Sequence, residues 1–153
     1  MRALTIRQPW AWAIVHAGKD VENRSWKNRY ASGTIAVHAG MGLDALSALP
    51  RGVKRPAPDD LLHGAIIGVV DVVGVVRRCR SKWFSGPLGW VLRNARPLAK
   101  PIPCSGRLGL WQLPAQAHHA INRQLATERL TRRSSGRAAR TVGRRGRQRN
   151  LEK

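Results

Sequence analysis

The stretch Ala65-Ile66-Ile67-Gly68-Val69-Val70-Asp71-Val72-Val73-Gly74-Val75-Val76 constrains the fold more than any other part of this chain. Eight of its twelve residues are valine or isoleucine, and only Asp71 is charged. β-Branched side chains lose rotamer freedom in a helix and pack well on a pleated surface, so the run predicts a long, mostly buried strand. Ile66–Val76 is far too short to cross a bilayer as a helix, which takes about 20 apolar residues. Gly68 and Gly74 are points where such a strand can bend, as barrel strands often do.

Shorter segments supply partners for it. Ala3–Ile6, Gly33–His38, Leu88–Leu92 and Leu108–Leu113 read as strands, and Pro97–Pro103 as an extended crossing. Pro9 sits where the first turn of a helix tolerates proline, and Trp10–Ala17 places residues 10, 13, 14 and 17 on one face, with Gly18 as its C-terminal stop. Gly42–Leu49 reads as a helical turn or two, while Pro50–Asp60 and Arg77–Gly86 read as loops. The expected class is α+β and mainly β: a small β-barrel with short helices packed at its opening.

Between the first helix and the second strand lies Gly18-Lys19-Asp20-Val21-Glu22-Asn23-Arg24-Ser25-Trp26, read as a short polar connection. It concentrates groups that bind anions and flat rings beside a buried framework. Lys19 can hold a phosphate or, if burial lowers its pKa, act as a base. Glu22 can accept from base N–H donors or serve as a general base. Arg24 offers a planar fork for phosphate or a base edge. The alternative for the first two is a structural Lys19–Glu22 ion pair. Trp10 and Trp26 bracket the run as stacking candidates, worth about 1–3 kcal/mol per base. Trp12, Trp90 and Trp111 sit in apolar stretches and read as core, and Trp83 as either a capping residue or a nucleic-acid contact. His38 closes a strand, where it either faces the cleft or is a hydrogen-bonded structural residue.

Charge narrows the partner class. There are 28 Lys+Arg against 8 Asp+Glu, a formal net charge of +20. Residues 120–153 carry +9 of it and residues 1–119 carry +11, so the field is positive with or without the C-terminal segment. Such a field favours polyanions, nucleic acid first among them. Cys79 and Cys104 lack the spacing of a disulfide framework, and together with His63 and His118-His119 they show no metal-ligand pattern, so no metal is expected. With no phosphate-cradling glycine loop or nucleophile elbow, no ATP or NAD cofactor is expected either. The N-terminus turns polar too early for a signal peptide, and a soluble cytoplasmic protein with reduced thiols and no membrane contact is the expectation.

Ile6-Arg7-Gln8-Pro9-Trp10-Ala11-Trp12, then Gly18-Lys19 with Glu22-Asn23-Arg24-Ser25-Trp26, then Ile35-Ala36-Val37-His38-Ala39, resembles the ASCH (activating signal cointegrator homology) domain, a relative of the PUA fold. Ile66–Asp71 and Leu108–Trp111 are similar to its remaining strands. The resemblance covers roughly residues 3–114 and implies a PUA-like barrel over 1–114, with a cleft against the first helix lined by the Lys/Glu/Arg run. It implies RNA or a modified nucleoside as ligand; with the stacking candidates and the strand histidine read above, the expected contacts are Gln8, Trp10, Lys19, Glu22, Arg24, Trp26 and His38. Some members are similar to ribonucleases, and one small bacterial group removes the acetyl group of N4-acetylcytidine with a lysine and a threonine three residues later. Lys19 matches that lysine, but Glu22 stands at the threonine position, and a carboxylate nucleophile would form a mixed anhydride, a different intermediate.

Three functions follow. The favoured one is an RNA- or modified-nucleoside-binding module using the Lys19/Glu22/Arg24 cleft. The second is a metal-independent RNA-processing enzyme, a ribonuclease or nucleoside amidohydrolase, with Lys19 and Glu22 as catalytic acid–base groups and a cation for the phosphorane. The third is a protein-binding, coactivator-type domain. Residues 115–153 form a basic, Arg-rich extension. Ala115–Leu130 can be helical, and Ser134–Lys153 holds too few apolar residues to offset the entropy of ordering, so disorder is expected there.

Overall fold

The computed structural model describes residues 1–26 and 32–148, with side chains described through Arg132. The long apolar run is strand β4 (Ala65–Val76), at the bounds its composition predicts. Around it are β1 (Arg2–Gln8), α1 (Trp10–His16), β2 (Val21–Arg24), β3 (Gly33–Leu43), β5 (Leu88–Pro103), β6 (Leu110–Gln112) and α2 (Ala115–Gln148), with short 3-10 turns at Leu46–Ala48 and Pro58–Asp60. The strands form one six-stranded mixed sheet in the order β2-β5-β4-β3-β1-β6. Only the β1–β3 pair is parallel among the described ladders. The mainly β α+β fold is therefore observed.

Both faces of this sheet are covered, which is why β4 reads as a continuous apolar run rather than an alternation. On one face Leu4, Ile6, Val37, Val70, Val72 and Trp90 pack with Ala11, Ile14 and Val15 of α1. On the other, Ala3, Ala36, Ile66, Val69 and Trp111 pack with Ala117 and Ile121 of α2. Beyond Val72 the cover ends, and Val73 and Val75 are exposed or nearly so. The irregularities in β4–β5 register include steps at Ile66/Gly68 and Val72/Gly74, beside both predicted glycines. A Cβ at Gly68 would lie 2.7 Å from the Arg96 carbonyl oxygen and 2.9 Å from Val15, so glycine there is what lets α1 seat on the sheet.

Three elements differ from the sequence reading. The charged run is not a connection throughout: Val21–Arg24 is an edge strand paired antiparallel with β5, from Val21↔Val91 to Arg24↔Leu88. One valine and three polar residues carry too little periodicity to announce a strand; the free edge of β5 recruits them. Gly42–Leu49 is not a helical segment, because β3 continues to Leu43 and only Leu46–Ala48 turns. The expected strand at 88–92 and crossing at 97–103 are one strand, β5, continued through Asn94 at a φ of +52°. Asparagine tolerates that left-handed conformation better than most residues.

The expected division at Pro114 coincides with the start of α2, yet the core runs past it. Ile121 is fully buried, and the Gln124 side chain accepts from the Lys100 N–H and donates to its carbonyl, both at 2.9 Å. Helical backbone extends past Leu130 to Gln148. Positions 149–153 of the expected extension lie outside the described residues.

Candidate functional site

Helix α1 ends where Gly18, at a φ of +69°, turns the chain and the Lys19 N–H returns to the Ala13 carbonyl at 3.0 Å. That turn aims Lys19 inward against the start of β2. Alternation along β2 then sorts its side chains. Val21 packs with Ala13 and Trp83, and Asn23 donates to the Trp83 carbonyl at 2.8 Å and accepts from the Ser85 N–H at 2.9 Å. Glu22 and Arg24 take the other side.

There the three predicted charges form a chain. Lys19 Nζ donates to Glu22 Oε2 at 2.7 Å and also to the Val21 carbonyl, while Arg24 Nη2 meets Glu22 Oε1 at 3.1 Å. The Lys19 and Glu22 side chains are 2% and 9% exposed, and that of Arg24 is 22% exposed. The carboxylate thus bridges two cations, and the trio keeps one net positive charge. Arg24 Nη2 also donates to the Thr5 carbonyl at 3.3 Å, so the guanidinium spans from β2 to β1.

Beyond Arg24 opens a cavity of about 970 Å³. Its wall includes Arg7 and Thr5 of β1, Arg24 of β2, His38 and Met41 of β3, and the segment Pro103–Gly109 with Arg107. Three arginines line it, and no carboxylate does so among the described residues. Its size is at the upper end of the ~300–1,000 Å³ typical of ligand sites. Thr5 Oγ1 accepts from Trp111 Nε1 at 3.0 Å and from the Arg107 N–H at 3.2 Å, which ties this segment to the sheet.

The predicted ligand contacts fall into two groups. Arg24 and His38 line the cavity; Gln8, Trp10, Lys19, Glu22 and Trp26 do not. Gln8 is fully buried, with its amide accepting from the Trp12 N–H at 2.9 Å and donating to the Leu62 carbonyl at 2.7 Å. Trp10 is half-buried against the core and donates to Asp44 at 2.8 Å. Trp26 is 37% exposed, edge-to-face with Trp90 at 4.8 Å. Trp90 and Trp111 are core, Trp12 is half-buried, and Trp83 is buried with Lys82 over its ring at 5.7 Å. Arg107 and Met41 were not legible as site residues. Arg7 lies in the quoted Arg7-Gln8-Pro9-Trp10 stretch, whereas Arg107 reaches Thr5 across 102 residues with no local signal.

Arg7 is held by Asp44, at 2.7 Å. The Trp10 indole N–H and then Arg7 hold the Asp44 carboxyl below its ordinary value of 3.8. A depressed carboxylate contributes stability above its unfolded pKa and loses it as pH falls through the folded one. Asp44→Asn should therefore cost a little stability near pH 7, little because the pair is exposed, and that difference should shrink as pH falls below about 4, which makes the acid limb shallower. Urea titrations at the two pH values check this, and an unaltered acid limb would refute it.

Among the described residues no helix is long and apolar enough to cross a membrane. The chain is similar to human activating signal cointegrator 1, 25% identical over 138 residues, and to the mouse protein of that name, 23% identical over 138 residues. Each match covers 80% of this chain but 24% of the relative, so the chain spans about a quarter of their length. A crystal structure of ASCH from Zymomonas mobilis aligns at a TM-score of 0.48 and 16% identity, covering 82% of this chain and 93% of that one. The family model described as ASCH domain matches residues 4–101, well over half of the sequence, and the chain belongs to the ASCH domain family.

Proposed function

We propose that this chain binds RNA, or a modified nucleoside within it, in the arginine-walled cavity, and that Lys19 and Glu22 serve that site by holding Arg24 in place. The observation that carries the reading is the charge of the wall: Arg7, Arg24 and Arg107 face one cavity with no carboxylate among its described lining residues. Guanidiniums bind phosphate oxygens and base edges through paired N–H donors. The surplus of basic residues over the whole chain draws polyanions to the opening. An acid–base role for Lys19 and Glu22 gains no support from this arrangement, since each is the other's partner and neither lines the cavity.

Arg24→Ala is expected to weaken binding of a short single-stranded RNA about tenfold, the worth of a charge-assisted hydrogen bond. The slope of log affinity against log salt should become shallower by about 0.7, one phosphate contact fewer on a single strand. Fluorescence anisotropy between 50 and 200 mM salt, as order-of-magnitude bounds, reads both. Equal affinity and slope in the variant would mean that RNA, if bound, sits elsewhere, on the basic C-terminal helix for example.

A further inference from the structure

Two side-chain polar atoms are buried without a hydrogen-bond partner among the described residues, Arg24 Nε and His38 Nδ1. Both residues wall the same cavity. Buried polar groups are nearly always paired, so two such atoms at one cavity point to a ligand that completes them.

The state of His38 follows from its other nitrogen. Nε2 lies 2.7 Å from the Cys104 carbonyl oxygen, which can only accept, so Nε2 carries a hydrogen. Nδ1 is then the lone-pair acceptor of the neutral ring or the second N–H of the imidazolium. The segment after β5 is shaped around it. Cys104 receives Nε2, and Arg107 donates its N–H to Thr5. A Cβ on Gly106 would stand 2.7 Å from His38 Cε1, 2.9 Å from Nδ1 and 2.9 Å from Thr5 Oγ1. Gly106 has no left-handed φ to require glycine; the space beside His38 requires it. At the rim, Leu108 and Met41 are 99% and 79% exposed and offer apolar surface to a flanking base or sugar.

We propose that this corner of the cavity takes a terminal phosphate monoester, at the end of an RNA strand or on a mononucleotide, in preference to an internal phosphodiester. The inference rests on the RNA-binding reading above and narrows it. A monoester carries between one and two negative charges near neutrality, because its second proton titrates near pH 6. It therefore matches the surplus of the wall, the one positive charge that the Lys19/Glu22/Arg24 trio keeps together with that of Arg107, better than a diester does. It also completes His38 in either protonation state. A protonated phosphate oxygen donates to Nδ1, or the dianion accepts from the imidazolium, with one proton shared between the two groups. A diester has no proton to donate, so it leaves the neutral ring unpaired.

The test uses the full chain and one RNA sequence carrying a 5′-hydroxyl, a 5′-phosphate or a 3′-phosphate, with direct titrations of cytidine 5′-monophosphate, cytidine and inorganic phosphate. One or both phosphorylated ends should bind about tenfold or more tighter than the hydroxyl strand, the gain of a charged hydrogen-bond set. Cytidine monophosphate should bind where cytidine does not; inorganic phosphate binding comparably would mark the phosphate alone as the determinant. Arg107→Gln, at an exposed position, should remove most of that preference, and Gly106→Ala, whose Cβ would press on His38 beside Nδ1, should do the same, with circular dichroism checking that each variant keeps its fold. Equal affinity for all three strands, or a preference retained in both variants, would overturn the proposal while leaving RNA binding standing. Binding of the mononucleotide without any strand would uphold the phosphate site and overturn the RNA reading. No binding of either would overturn both.

Discussion

Glu22→Ala is expected to cost about 3–5 kcal/mol of stability, because it leaves the Lys19 ammonium buried without its counter-charge. The carboxylate holds both neighbours, Lys19 at 2.7 Å on one oxygen and Arg24 at 3.1 Å on the other. The two cations differ in what they can do when it is gone. Arg24, 22% exposed, can turn toward solvent, whereas Lys19, 2% exposed, cannot reach water without opening the junction of α1 and β2. Lys19→Met should consequently cost less than Glu22→Ala, since Glu22 keeps Arg24. Combining Lys19→Met with Glu22→Leu should recover most of the loss, because a well-packed apolar pair often replaces a buried ion pair without penalty. RNA affinity should not recover, as Arg24 would still lack its anchor. Urea denaturation of the four proteins reads the first part and anisotropy the second. A Glu22→Ala loss below about 1 kcal/mol would show that the pair is solvated and that Arg24 is not held by it.

Trp90→Ala should be comparably severe, about 3–5 kcal/mol for a large side chain removed from a packed core. Trp90 is fully buried in the cluster shared by β1, β3, β4, β5 and α1, and in the β2–β5 ladder it stands opposite Glu22. Its ring also packs edge-to-face with Trp26, and its indole N–H donates to the Trp26 carbonyl at 3.4 Å. The void left by alanine would therefore loosen β2 as well as the core. A fall in melting temperature of roughly 10 °C is expected, and RNA affinity should drop at temperatures where circular dichroism still reports the folded sheet. Trp90→Phe, which keeps most of the buried area, should lose far less. Trp26→Ala, at the exposed end of the same pair, is the control; if it costs as much as Trp90→Ala, the core position is not what matters.

The sequence by itself determined the elements whose side chains carry a strong local signal. β4 is legible because a sheet covered on both faces demands an unbroken β-branched run. α1 is legible because proline, a one-sided apolar stripe and glycine mark its start, face and stop. The charged trio was legible too, since Lys19, Glu22 and Arg24 lie within six residues, close enough to pair with one another. Their geometry was not. Whether 21–24 is a loop or a strand depends on the free edge of β5, some 65 residues away, and that pairing buries Lys19 and Glu22 while turning Arg24 toward a cavity. The cavity is likewise a tertiary product. Arg7, His38 and Arg107 come from β1, β3 and the segment after β5, and the parallel β1–β3 pairing with its Thr5↔His38 register, the Arg107–Thr5 bond and the His38–Cys104 bond bring them together. Local sequence reports propensity and charge; convergence over a hundred residues of chain is decided by which strand edges pair and what they enclose.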